Sequence, residues 1–252
     1  MTESSAWDRT ELREANRGQK LLGDYYKLHH QRRRYDFVVN EETKAQFFSR
    51  MLAERWGECS APDRVAVDLG CRGGALTSKL LNWAHWLGVD VDPAALAQAR
   101  DRGIDCREMD LGLGLAFKND SFDLVMMTEV LEHLPYPIIT LAEINRILRK
   151  QPDSVFLGSV PIDYHLRRRL AVLAGRRLEG DPTHIHSFSV REISELLHHY
   201  FSKVVLHFQR TPHWPWKLLP ARLSAIDVFW AAWEPKADVP MADIELRHQG
   251  LP

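Results

Sequence analysis

Four short strand-like segments in this chain each stop at a residue able to hold a polar ligand. Val65-Ala66-Val67 runs into Asp68, Trp86-Leu87-Gly88-Val89 into Asp90, and Asp105–Met109 into Asp110. The fourth run, Ser121–Met127, leads into Thr128-Glu129-Val130-Leu131-Glu132-His133-Leu134. Carboxylates can accept from hydroxyl, amino and ammonium groups, and a glutamate–histidine cluster can move a proton or hold a cation. After Asp68 the chain turns through Gly70-Cys71-Arg72-Gly73-Gly74 into a helical pattern, Ala75 to Leu81. Glycine has no Cβ, so such a turn lets backbone N–H groups approach a ligand closely.

The charge before the turn selects the ligand. Asp68 would repel a phosphate and attract an ammonium, which points away from a dinucleotide and toward S-adenosylmethionine, whose amino-acid end is cationic. Asp90, closing the second strand, is placed to accept both hydroxyls of a ribose. Asp110, closing the third, can accept from an adenine amino group. Taken singly, Gly70 to Gly74 is only a turn, and Asp90 and Asp110 are helix caps or turn residues. Asp92-Pro93 reads as a helix start. Four such endings in order, separated by helical segments, are more specific than any one.

These motifs resemble the class I S-adenosylmethionine-dependent methyltransferases. The resemblance rests on Asp68-Leu69-Gly70-Cys71-Arg72-Gly73-Gly74, Gly88-Val89-Asp90-Val91-Asp92-Pro93, Met109-Asp110-Leu111, Ser121-Phe122-Asp123-Leu124-Val125, and Glu129-Val130-Leu131-Glu132-His133-Leu134. A later match is Asp181-Pro182-Thr183-His184-Ile185-His186-Ser187-Phe188-Ser189, so the likeness spans roughly residues 40 to 235. One departure is Arg72, where the family commonly has glycine. The resemblance implies an α/β fold, a Rossmann-like doubly wound seven-stranded mixed sheet of order 3-2-1-4-5-7-6. Its last strand is antiparallel and helices cover both faces. It also implies a cofactor site in which Asp68 and the loop residues Gly70, Cys71, Arg72, Gly73 and Gly74 take the methionine end. Asp90 and Val91 would take the ribose, and Asp110 and Leu111 the adenine. Thr128 and Glu129 would lie beside the cofactor.

Methyl transfer from a sulfonium is an in-line displacement, so the protein mainly aligns donor and acceptor and excludes water. A hydroxyl acceptor must also lose its proton, and His133 is the candidate base. Glu129-x-x-Glu132-His133 puts two carboxylates on one face if the turn is helical. With His184 or His186 this resembles metal-assisted O-methyltransferases, including ubiquinone-pathway enzymes and small-RNA 3′-end 2′-O-methyltransferases. That resemblance implies a divalent metal held by Glu129, Glu132, His133 and one of His184 or His186. The alternative is a metal-free site in which Glu132 pairs locally and the histidines orient loops.

Chain organisation supplies the frame. The N-terminal 40 residues, with helical Glu11 to Tyr26 and basic His29 to Tyr35, read as a helical extension or lid. Residues 41–236 are the methyltransferase domain. Within it, 162–189 form an insertion over the site, and 237–252 form an irregular tail. Glu41 to Trp56, Ile138 to Leu148 and Val190 to Tyr200 carry helical apolar spacing, and Ser154 to Val160 reads as the fifth strand. Tyr164 to Arg177 reads as a basic amphipathic helix, a solvated cover or a contact for an anionic substrate or membrane surface. Lys203 to Gln209 and Asp227 to Trp233 are the two final strands, joined through the aromatic linker Trp214 to Pro220.

The 252 residues are enough for one such domain, with 45% hydrophobic and 27% charged residues, an ordinary globular balance. A formal net charge of −1 provides no field to draw in nucleic acid. No apolar run is long enough to span a membrane. The three cysteines lack CxxC spacing and fit a reducing, cytoplasmic setting, with Cys71 packing rather than reacting. The reading favoured is O-methylation of a small biosynthetic intermediate, a sugar, a phenol or an acid-bearing metabolite. The insertion's arginines favour an anionic acceptor. Three alternatives stay open: a small-molecule N-methyltransferase, a metal-assisted RNA 2′-O-methyltransferase, and a noncatalytic partner of a biosynthetic enzyme.

Overall fold

The computed structural model describes residues 24, 25, 28, 40–57, 63–176, 181, 183–210, 214, 215, 218–237 and 239. It divides into two compact units, Met1–Phe37 and Val38–Pro252. Of the first unit, only Asp24, Tyr25 and Leu28 are described, and these are helical. The lid reading of the N-terminal basic run therefore lies outside the described residues, as do nearly all of the expected tail and part of the aromatic linker.

The second unit is built on seven strands. They are β1 (Val65–Leu69), β2 (His85–Asp90), β3 (Asp105–Glu108), β4 (Leu124–Thr128), β5 (Val155–Pro161), β6 (Phe201–Arg210) and β7 (Ala225–Pro235). Their order is β3-β2-β1-β4-β5-β7-β6, as the family resemblance implies. Strands β1 to β5 pair in parallel, and β7 runs antiparallel to both β5 and β6. The central strands are apolar on both faces because both faces are covered. Val67, Leu69, Val125, Met127 and Phe156 point to one face. Ala66, Leu124, Met126, Val155 and Leu157 point to the other. That alternation is the period of two of an extended chain.

Helices supply the covering layers. Helix α1 (Glu41–Trp56) buries Phe47, Phe48, Met51 and Leu52 on the Ala66 face. Fully burying a side chain such as Phe48 or Leu52 contributes about 1.5–3 kcal/mol. The same face takes α2 (Ala75–Ser78) and α3 (Pro93–Asp101), whose N-cap Asp92 accepts from Ala94 N. The opposite face takes α4 (Pro137–Ile147) and α6 (Val190–Tyr200). Helix α6 begins with a capping box in which Ser189 and Glu192 satisfy each other's backbone N–H groups. Between β5 and α6 lies α5 (Leu166–Leu173), and α7 (Ala221–Ser224) precedes β7.

Several boundaries differ from the sequence expectation; β6 and β7 each run longer at both ends than Lys203–Gln209 and Asp227–Trp233. The helix after the glycine turn ends at Ser78 rather than Leu81, and a 3-10 turn follows at Leu81–Trp83. There the indole of Trp86 donates to Leu80 O at 2.9 Å, using a carbonyl a longer helix would need. Strand β4 starts at Leu124 rather than Ser121, because Asp123 turns its carboxylate to Val65 N (2.9 Å) and Arg149 (2.5 Å). Strand β3 ends at Glu108, one residue early. The helix read from Tyr164 to Arg177 shrinks to α5: His165 caps its start, and Gly175 at φ +68° stops it. There Arg176 N–H bonds back to Ala171 O at 2.9 Å.

Candidate functional site

The strand order places β3, β2, β1 and β4 side by side, so their C-terminal ends form one edge. Asp68 sits near the end of β1, Asp90 ends β2, Asp110 lies just past β3, and Thr128 ends β4 with Glu129 next. The sequence-predicted cofactor residues are thus brought together at the crevice where β1 separates strands that wind in opposite directions. Ligands of open α/β sheets bind there.

The glycine turn is shaped by packing as well as by access. Gly70 has φ +83°, and a Cβ there would come within 2.4 Å of Val130 Cγ2. Gly74 has φ +71°, and its Cβ would reach Ile104 Cδ1 at 2.4 Å. Arg72, the departure from the family pattern, also takes a left-handed φ of 48°, a conformation that glycine adopts without strain. Its N–H is held by Asp90 Oδ2 at 2.9 Å. Gly73 O accepts from the Arg102 guanidinium. Cys71 is buried over Gly88, where an added Cβ would lie 2.7 Å from its Sγ, and burial pushes its thiol pKa far up. That environment suits packing and not nucleophilic attack.

Asp68 is 3% exposed and accepts from the Thr77 hydroxyl. Burial, with repulsion from Asp90, raises its pKa to about 7 despite the Thr77 bond. Among the described residues no cation pairs with it. An uncompensated buried carboxylate fits a ligand that brings its own positive charge, as an amino-acid ammonium does. Asp90 accepts from two backbone amides, Arg72 N and Asp92 N, both at 2.9 Å. A carboxylate has about four lone-pair sites, so capacity for two ribose hydroxyls remains. Burial raises its pKa while those amides oppose the rise. Asp110 caps the 3-10 turn Leu111–Leu113 through Gly112 N at 3.0 Å, and Leu111 is buried beside it. Val91 and Thr128 are half-buried at their strand ends.

Glu129 leaves β4 in a left-handed conformation, φ 53°. Its Oε1 accepts from Lys44 Nζ at 2.8 Å and from Ser159 Oγ at 2.5 Å. Burial alone would raise its pKa, but the Lys44 charge and these bonds outweigh that and lower it. Lys44 is fully buried, lies 3.5 Å from Asp227 and has its ammonium 5.2 Å from the Phe229 ring centre. Burial works against its charge, yet the surrounding carboxylates keep its pKa above the usual lysine value. Asp227 is raised well above the carboxylate range by burial and by Glu129.

Glu132 is fully buried, and neither of its carboxylate oxygens has a hydrogen-bond partner. Burial and the Glu129 charge hold its pKa well above the ordinary carboxylate value. Two imidazoles face it, His133 Nε2 at 3.7 Å and His184 Nε2 at 3.9 Å from Oε1. Their rings meet edge to face with centroids 4.6 Å apart. His133 Nδ1 lies 3.0 Å from Thr183 O, a contact that requires an Nδ1–H donor. In the neutral ring Nε2 is then the nitrogen with the lone pair. Burial lowers the pKa of His184. Ligand atoms of Glu132, His133 and His184 all lie within 4.8 Å of one another.

Two of the residues predicted for a metal stand outside that trio. Glu129 is engaged by Lys44 and Ser159, and His186 turns its Nε2 to Pro135 O at 3.2 Å. The return segment is tied down by Glu132 O, which accepts from Ile185 N and His186 N at 3.0 Å each. A bridge between Ile162 and Phe188 closes the base of the insertion.

Lys44, Ser159 and Asp227 were missed by reading motifs. Two of them did leave a signal. Lys44 lies on the apolar face of α1, three and four residues before Phe47 and Phe48, and Asp227 interrupts the apolar run of β7. A charge on a core-facing position needs a partner.

A seven-stranded sheet with a glycine turn and acids at successive strand ends defines a class I methyltransferase fold. A family model for a methyltransferase domain matches residues 28–204, and the chain belongs to that family. A ubiquinone biosynthesis O-methyltransferase of Methylococcus capsulatus is 33% identical over 144 residues, 52% of this chain and 57% of that protein. Another from Hahella chejuensis is 31% identical over 102 residues, 38% of this chain and 43% of that protein. The chain thus spans about half the length of the curated relatives it matches. A solved structure of an S-adenosylmethionine-dependent methyltransferase from Archaeoglobus fulgidus shares the fold. It has a TM-score of 0.61 at 18% identity and covers 84% of this chain and all of that one. No helix among the described residues is long and apolar enough to cross a membrane.

Proposed function

We propose that this protein is an S-adenosylmethionine-dependent O-methyltransferase acting on a small biosynthetic intermediate. The observation that carries the reading is the buried, uncompensated Asp68 carboxylate in line with Asp90 and Asp110 at adjacent strand ends. The relatives named as ubiquinone biosynthesis O-methyltransferases support the choice of a hydroxyl acceptor. When bound, S-adenosylmethionine supplies an electrophilic methyl group. Asp68 and the Gly70–Gly74 turn bind its methionine end, with Asp68 taking the ammonium, Asp90 with Val91 the ribose, and Asp110 with Leu111 the adenine. Thr128 and Glu129 border it. His133 Nε2 takes the acceptor's proton, while the Thr183 carbonyl holds the ring in the required tautomer.

Calorimetric titration with S-adenosylmethionine and S-adenosylhomocysteine tests the cofactor assignment. The expected result is micromolar binding that Asp90→Ala weakens sharply, and unchanged affinity in that variant would remove the ribose role. The pH profile tests Asp68. Its charged form binds the ammonium, so affinity is expected to fall as the pH drops through about 7. That acid limb should disappear in Asp68→Asn, and a flat profile in the unaltered protein would exclude the pairing.

A second reading is favoured by one observation, the unpartnered buried oxygens of Glu132 facing two imidazole nitrogens. Carboxylate and imidazole suit a divalent ion such as Mn²⁺ or Zn²⁺. In that reading Glu132, His133 and His184 hold the ion, with Glu129 at its border, and the metal supplies charge that lowers the acceptor hydroxyl's pKa. Metal titration of chelator-treated protein decides between the two. Binding abolished by Glu132→Gln supports the metal, and no binding leaves the base mechanism.

A further inference from the structure

Helix α5 presents its apolar stripe away from the protein. None of its eight residues, Leu166–Leu173, is buried. At helical spacing Leu166, Leu170 and Leu173 form one line, the i, i+4, i+7 pattern that in a globular helix faces the core. Here Leu170 is 44% and Leu173 is 81% exposed. Arg167 and Arg169 flank that line, one on each side, and both are exposed. Arg168, on the opposite side, anchors the helix to the domain through a salt bridge to Asp163. From Leu166 to Arg176 there is no acidic residue, while four arginines are present, Arg167, Arg168, Arg169 and Arg176.

An outward apolar stripe bordered by guanidinium groups has the layout of a helix lying in a bilayer interface. Leucines enter the acyl boundary and arginines reach anionic headgroups. We infer that α5 docks this domain on anionic lipid bilayers. The charge pattern favours that occupant over a second copy of this chain, whose net charge of −1 offers little to attract arginines. Location gives the docking a purpose. The helix belongs to the insertion that follows β5 and returns through the segment carrying His184, which faces Glu132 at 3.9 Å. A bilayer held against α5 therefore lies at the rim of the candidate site. The inference stands whether the acceptor is lipid-borne or soluble.

The test is co-sedimentation of the full chain with vesicles of phosphatidylcholine alone and of phosphatidylcholine with about one-third phosphatidylglycerol. The expected result is binding to the anionic vesicles only, weakened about tenfold or more by high salt. Leu170→Asp with Leu173→Asp should abolish it, and Arg167→Gln with Arg169→Gln should weaken it. Each variant should keep the cofactor affinity of the unaltered protein, which shows that it is folded. No binding to anionic vesicles overturns the proposal, as does equal binding by the leucine variant or equal binding to neutral vesicles. Vesicle-free protein whose oligomeric state changes in the leucine variant, without any vesicle binding, would instead assign the stripe to a copy of this chain.

Discussion

Lys44→Met is expected to cost about 3–5 kcal/mol of folding stability near neutral pH, the range seen when one partner of a buried ion pair is removed. The methionine fills the space of the lysine stem, so the loss comes from charge rather than from a cavity. In the native protein the Lys44 ammonium, itself fully buried, is held by the half-buried Glu129 at 2.8 Å and the buried Asp227 at 3.5 Å. Without it, half-buried Glu129 stands beside the buried Glu132 and Asp227 with no lysine to offset their charge. Each must then be charged at a high cost or take up a proton.

The pH dependence has a definite sign. The folded pKa of Glu129 now lies below its ordinary value; in the variant, burial would lift it above. A group raised in the folded state gives stability that is present below its unfolded pKa and lost as pH rises through the folded one. The deficit of the variant should therefore be smaller at mildly acidic pH and grow toward alkaline pH. The native Lys44 contribution stays constant over that range, because its own pKa is raised and it remains protonated. Urea melts of both proteins at acidic and alkaline pH measure this. A deficit under about 1 kcal/mol at every pH, or one that grows on acidification, would show that the network does not carry the stability assigned to it.

Much of the frame was legible because it depends on local pattern. Helix α1 runs from Glu41 to Trp56 and α6 from Val190 to Tyr200, at the bounds that apolar spacing sets. Asp68 and Asp90 were legible because a polar residue closing an apolar run marks where a buried strand surfaces, whereas Asp110 follows the charged strand β3 and was legible only by its place in the order. The Lys44–Glu129 contact was not, since it joins residues 85 apart and depends on how α1 crosses the sheet. Nor could spacing alone separate the glutamate–histidine residues. Glu129 and Glu132 are three apart, but a left-handed residue and a 3-10 turn at Leu131–His133 replace the helical turn the spacing assumed. One carboxylate goes to Lys44, and the other turns inward to the histidines. His184 and His186 separate for a similar reason. They lie in a return segment without regular secondary structure, where Pro135 O engages His186 and leaves His184 facing Glu132.

His133→Ala is expected to reduce turnover roughly 10²–10⁴-fold, the usual contribution of a positioned general base, while cofactor affinity stays unchanged. The separation follows from position. His133 lies after β4 against Thr183 and Glu132, whereas the residues proposed for the ribose and adenine end β2 and follow β3. His184→Ala distinguishes a base from a shared site. If His133 Nε2 acts alone, His184 affects only its packing, and that variant should retain most activity. If both imidazoles hold a metal, either loss should remove metal binding and activity together. The pH–rate profile adds an independent reading. A base mechanism needs neutral His133, so turnover should fall on acidification through a single ionisation, and that limb should vanish in the low residual rate of His133→Ala. Full turnover in that variant with a small-molecule acceptor would eliminate the base. It would then favour an amine acceptor, which loses its proton to solvent without help from the protein.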